Sequence, residues 1–245
     1  MPDSRSHRGL HPQDAELFSA PHLPALRTAT EELSWLLGRG YAPLSSLKLV
    51  GDRHALRERQ RDLVSRAACT DAQRLSRRAT RLSPDAVRGA DLFIDGFNLL
   101  ITLEAALGGG LVFKARDGAL RDLASVHGTY RAVEETDPAL LLAGETLAEY
   151  GPASVTWLFD QPVSNSGRLV QRVRGLAETR GWPWEVRLSR NPDQDLMALP
   201  AGGIAVTTDS LILDHAPGGW LPLSELILSR LPPIFIHLDL SVPGA

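Results

Sequence analysis

From residue 24 to 40 the apolar positions Leu26, Ala29, Leu33, Leu36 and Leu37 recur at helical spacing, and Gly38 and Gly40 close the run, which predicts an amphipathic helix. SSLKLVGDR then leads to Asp52, read as an N-cap, after which HALRERQRDLVSRAAC sets Leu56, Leu63, Val64 and Ala67 on one face with arginines elsewhere. Residues 70–89 are polar and Arg-rich and predict a third helix and a linker. Past Gly89 the pattern changes to short apolar runs that end in Asp: ADLFID (Asp95), SVTWLFD (Asp160), WEVRLSRNPDQD (Asp193, Asp195) and GIAVTTD (Asp209). Helical stretches at 98–107, 117–135, 138–150 and 167–181 separate them, and strands alternating with helices predict an α/β fold with a parallel sheet. A short last strand is expected within WLPLSELI or PPIFIHLDL. The division that follows is a tail over 1–24, a basic helical domain over 25–89, an α/β domain over 90–230 and a C-terminal extension over 231–245.

Charge sharpens that division. Residues 1–90 carry a formal charge of +5 and residues 91–245 one of −8, so the overall −3 conceals opposed halves. Nine arginines fall between residues 53 and 81, and a basic half beside an acidic one suggests phosphate binding next to metal binding. With 245 residues and 43% hydrophobic content the chain can bury a core without staples. The single Cys69 excludes an internal disulfide and fits a reducing compartment, and no apolar run suits a membrane span or signal peptide. A cytoplasmic protein is expected.

In an open parallel sheet ligands bind beyond the carboxyl ends of the strands. Asp95, Asp160 and Asp209 follow the last apolar residue of three predicted strands, and Asp193 or Asp195 adds a fourth carboxylate. One such Asp is ordinarily a turn residue or helix cap. Four in series imply a shared acidic cleft, whose repulsion is relieved by a divalent cation; ligation by oxygen alone points to Mg²⁺ or Mn²⁺.

FIDGFNLLI resembles the opening strand of the PIN and NYN group of metal-dependent ribonucleases. LFDQ is similar to that group's second acidic strand end, NPDQDL to its acidic helix start and VTTDSLIL to its closing Thr-x-Asp element. The whole chain also resembles a prokaryotic family that pairs an Arg-rich domain of unknown function, number 434, with a PIN-like domain. ALRTATEELSWLLGRGY, KLVGDRHALRERQR, DGFNLLITLEAALGGG, RDLASVHGTYR and PVSNSGR carry that likeness. The resemblance implies a PIN/NYN-like Rossmannoid sheet flanked by helices, with Asp95, Asp160, Asp209 and one of Asp193 or Asp195 holding metal and Asn98 orienting the first Asp or the substrate. The chain departs from the group's pattern in a long insertion over 99–153.

Secondary features leave alternatives open. PVSNSGR offers Ser164, Asn165, Ser166 and Arg168 either as a phosphate cradle or as a plain N-cap turn. Glu104 is either a further ligand leaning over the cleft or a solvated helix residue. Asp117 and Asp122 with Arg116 and Arg121 read first as intrahelical pairs, and His127, Tyr130 and Arg131 as a polar contact set or as packing. Gly108 to Gly110 lack Walker spacing and read as a flexible helix end. The function expected is metal-dependent cleavage of a phosphodiester, of RNA before DNA, with Arg57, Arg61, Arg74, Arg77 and Arg78 holding the backbone. The rival is a non-catalytic nucleic-acid-binding or regulatory module that keeps the fold and some metal affinity. A separate alternative has the arginines join the two halves instead of touching nucleic acid. A phosphohydrolase acting on small metabolites would want Asp-x-Asp at the first strand, where this chain has Asp95, Gly96 and Phe97.

Overall fold

The computed structural model of the chain describes residues 7–124, 128–232 and 234–242. Its basic half forms α1 (Asp14–Leu17), α2 (Leu23–Gly38), α3 (Pro43–Arg53), α4 (Glu58–Ala67) and α5 (Asp71–Ala79). Asp52 is not the cap expected of it. Pro43, suited to a first helical position, starts a separate helix that runs to Arg53, with Ala55 just beyond it at φ 49°, and Asp52 in its last turn takes Lys48 Nζ at 2.6 Å and Arg61 Nη2 at 2.8 Å. Thr70 opens α5 with a capping box: its Oγ1 accepts the Gln73 N–H, and Gln73 Oε1 accepts the Thr70 N–H.

The second half is a mixed α/β unit. β1 (Asp91–Asp95), β4 (Ser154–Asp160), β5 (Trp184–Ser189) and β6 (Ile204–Val206) form a parallel sheet in the order β5-β4-β1-β6. Successive strand residues face opposite sides, so both faces are apolar and both are covered. Leu92, Ile94, Val155, Trp157 and Phe159 pack beneath α6 (Gly96–Leu107), α7 (Thr136–Tyr150), α8 (Ser166–Arg180) and α11 (Leu223–Leu228). Phe93, Leu158 and Ala205 meet Leu196, Leu199 and Ile212 of the α9 (Pro192–Met197) and α10 (Ser210–His215) side.

The insertion over 99–153 builds a second sheet in place of part of the expected helix. Gly118, at φ 92°, turns a hairpin between β2 (Leu111–Lys114) and β3 (Leu120–Asp122), so 117–135 holds no helix among its described residues. His127 lies outside the described residues. The segment read as a C-terminal extension supplies β7 (Ile236–Asp239), parallel to β2, whereas the WLPLSELI candidate holds α11. Leu111, Phe113, Leu123, Leu238 and Leu240 of this sheet share one core with Leu26, Leu33, Leu63 and Val64 of the N-terminal helices.

The stretch read as a tail is likewise built in. Arg59 pairs with buried Asp14, and Arg8 Nε donates to Glu104 Oε2 at 2.5 Å. Glu104 is neither solvated nor in the cleft: fully buried, it also accepts Tyr130 Oη at 2.5 Å and Thr136 Oγ1 at 2.6 Å. Among the described residues no helix is long and apolar enough to cross a membrane.

Candidate functional site

All four parallel strands end at one edge. The chain leaves β1 and β4 into α6 and α8 on one face, but leaves β5 and β6 into α9 and α10 on the other. Adjacent β1 and β6 therefore diverge, and a crevice opens between their carboxyl ends. Asp95 and Asp209 flank it, and Asp160 ends the neighbouring β4.

Local chemistry fixes each carboxylate. Asp95 caps α6, its Oδ1 accepting the Asn98 N–H at 3.2 Å and its Oδ2 accepting Thr207 Oγ1 at 3.0 Å. Gly96 is required behind it, because a Cβ there would overlap the Phe159 ring. Thr207 Oγ1 in turn accepts the Asp209 N–H at 3.1 Å, and Asp209 Oδ1 caps α10 through the Leu211 N–H at 2.8 Å and the Ile212 N–H at 3.4 Å. Asn98 Oδ1 takes the N–H and hydroxyl of Thr208 at 2.8 and 3.0 Å, stapling the start of α6 to the turn that carries Asp209.

The carboxylates repel one another. Burial lifts Asp95 to about 7, with Asp193 and Asp209 adding to the rise against the Asn98 and Thr207 hydrogen bonds. Burial and Asp193 raise Asp160, while burial and Asp209 raise Asp193. Asp193 is thus the helix-start acid in electrostatic reach of the others, whereas the Asp195 carboxylate accepts Ser189 Oγ at 2.6 Å. No Lys or Arg forms an ion pair with Asp95, Asp160, Asp193 or Asp209 among the described residues. As the side chains stand, no group of three or more His, Cys, Asp or Glu is close enough to hold a metal ion among those residues.

A cleft of about 520 Å³ opens at this edge, lined by Asn98, Asp160, Asp209 and Ser210, by apolar Phe97, Ile101 and Val163, and by Arg66, Arg121 and Asp122. Periodicity gave Arg66, Arg121 and Asp122 no role in it, because the second sheet and α4 bring them there from distant parts of the chain. Arg121 pairs twice with Asp117 and donates Nε to the Thr208 carbonyl at 2.8 Å, bracing the Asp209 turn.

The predicted phosphate contacts scatter. The loop over 162–168 borders the cleft through Val163, but Asn165, at φ 70°, donates Nδ2 to the Tyr130 carbonyl at 2.9 Å and Ser166 is buried. Ser164 and Arg168 are exposed. Arg57 and Arg78 are exposed as expected, Arg61 and Arg74 pair within their own helical half, and Arg77 is buried and unable to reach a ligand. Its Nη1 binds Asp117 and its Nε binds Asp214 of α10, at 2.8 and 2.6 Å. That arginine joins the two halves, as the alternative reading of the basic module as interdomain glue has it.

Residues 84–226 match a domain of unknown function, DUF5616, and residues 25–79 match a protein of unknown function, DUF434. An uncharacterised protein of Methanocaldococcus jannaschii is 30% identical over 190 residues, covering 77% of this chain and 89% of the relative. No solved structure matches.

Proposed function

We propose, for a chain that belongs to the DUF5616 family and carries a DUF434 domain ahead of that match, a PIN/NYN-like divalent-metal-dependent nuclease that acts on RNA. The observation that supports this most is the meeting of Asp95, Asp160, Asp193 and Asp209 at one sheet edge, mutually repelling and without a basic partner among the described residues. Their all-oxygen donor set fits Mg²⁺ or Mn²⁺ in chemistry, and to hold the ion Asp160 and Asp193 would have to approach Asp95 and Asp209. Bound there, the cation supplies Lewis acidity and an activated water to a phosphodiester. Thr207 and Asn98 hold Asp95 and the Asp209 turn in register. Phe97, Ile101 and Val163 would offer a nucleoside an apolar wall.

The test is cleavage of labelled single-stranded RNA and DNA with Mn²⁺. Wild type is expected to cut RNA and Asp95→Asn to lose at least 100-fold. A second reading, a non-catalytic nucleic-acid-binding module, is favoured by the separation of the carboxylates and by the capping roles of Asp95 and Asp209. RNA binding by wild type with no cleavage under any divalent ion would select it.

A further inference from the structure

We propose that the N-terminal helical domain supplies a substrate contact to the cleft: Arg66 of α4 binds a backbone phosphate of the single-stranded RNA whose neighbouring linkage lies at the carboxylates. This rests on the reading of the cleft as a nucleic-acid site. Arg66 is exposed and lines the same cavity as Asp160 and Asp209, although it lies outside the α/β domain that builds the rest of the cleft. Its Nη1 donates to the carbonyls of Asp122 at 2.9 Å and Ala124 at 3.4 Å, which positions the guanidinium, and the nearby Asp122 carboxyl attracts it without forming an ion pair. No carboxylate pairs with it among the described residues, and the adjacent Asp122 carboxyl is engaged by Thr102 Oγ1 at 2.6 Å. The cleft's other arginine, Arg121, is neutralised by Asp117.

The cavity therefore holds an arginine with no ion pair among the described residues, next to the Asp122 carboxyl, together with the unpaired carboxylates of Asp160 and Asp209. A nucleic-acid strand suits such a set of groups, because one phosphate meets a guanidinium while the next meets the carboxylates that take a cation. The apolar wall of Phe97, Ile101 and Val163 lies along the same cavity. Without α4 the cleft lacks its anion contact, which gives the pairing of the two domains a functional reason.

Two measurements on the full-length protein separate this proposal from the reading it rests on. Binding of a fluorescent single-stranded RNA is followed by anisotropy in EDTA across a salt series, and Mn²⁺ alone is titrated calorimetrically. Arg66→Ala is expected to weaken RNA binding at least tenfold and to reduce the slope of log affinity against log salt by about 0.7, the loss of one phosphate contact on a single strand. Its Mn²⁺ binding should equal that of wild type. Arg66→Lys should regain the salt slope but only part of the affinity, because it keeps the charge and loses the fork. Arg39→Ala, at the residue that follows α2 and stacks on Trp35, controls for general charge loss.

Unchanged RNA affinity and slope in Arg66→Ala would overturn the proposal. So would equal losses of RNA affinity, Mn²⁺ binding and melting temperature in Arg66→Ala and Arg66→Lys, which would make Arg66 a structural tether to the end of β3. Failure of wild type to bind Mn²⁺, with the Arg66 effect on RNA intact, would fell the metal reading and leave the phosphate contact standing.

Discussion

Asp95 concentrates the tension of the site. Its carboxyl is lifted to about 7 from the ordinary 3.8, so protonation stabilises the folded metal-free protein fully below about pH 4, and this contribution is lost as pH rises through 7. Asp95→Asn caps α6 equally well and carries no charge. In EDTA at pH 8 it is expected to be more stable than wild type, by on the order of 1–4 kcal/mol at about 1.4 kcal/mol per pKa unit, with the gain vanishing toward pH 4. Urea denaturation at pH 5 and pH 8 checks this, and an equal pH dependence in both proteins would contradict it. Gly96→Ala should cost about 1–3 kcal/mol, since the new methyl meets the Phe159 ring in a filled core. Of the candidate site, Asp95, Asp160 and Asp209 are legible in the sequence because each ends a visible apolar run. Thr207 enters only through the Thr-x-Asp likeness, and the roles of Arg66 and Asp122 are not legible, for they arise from contacts between segments far apart in the chain.

Helix α10 carries this dependence on distant contacts to the scale of an element. It is only six residues long, Ser210–His215, too short to hold itself, yet its N-cap is a site carboxylate. Arg121 holds its first turn through the Thr208 carbonyl and Ser210 Oγ, and Arg77 holds its far end through Asp214. Both arginines converge on buried Asp117 in the turn between β2 and β3. Removing Arg77 leaves Asp117 and Asp214 short of a partner, so Arg77→Ala is expected to cost about 3–5 kcal/mol and to speed amide exchange in α10. Arg78→Ala, one position along and exposed, should cost about 0.5 kcal/mol or less. Urea titration and hydrogen exchange distinguish the two, and equal costs would refute the bracing role. The strands of the parallel sheet were legible from their apolar runs. The second sheet was not: β3 has three residues, and Leu120 and Leu123 imitate helical spacing, while the Gly118 turn that breaks the helix is a single residue.

At the scale of the whole molecule, opposed charges marked two halves but did not reveal that they share a core. Leu63 and Val64 of α4 pack with Phe113 of β2 and Leu238 of β7, so the three-stranded sheet has its apolar side covered by the DUF434 helices. The buried Arg77–Asp117 pair crosses the same boundary, as do Arg116 to the Cys69 carbonyl and Arg27 to the Asp239 carbonyl. A helical unit cut at about residue 82 would expose that apolar face. The α/β unit left behind would expose its own, with the Asp117–Arg121 pair stripped of Arg77. Exposed faces of this kind cost roughly 25 cal/mol per Å², enough to rival the whole stability of a domain. The intact chain is therefore expected to unfold in one transition, with calorimetric and van't Hoff enthalpies equal. Residues 1–82 and 83–245 made separately should each lack cooperative melting, and co-expression should restore it. Two resolved transitions in the intact chain, or two independently folded fragments, would show that the boundary between the matched families is also a boundary of stability.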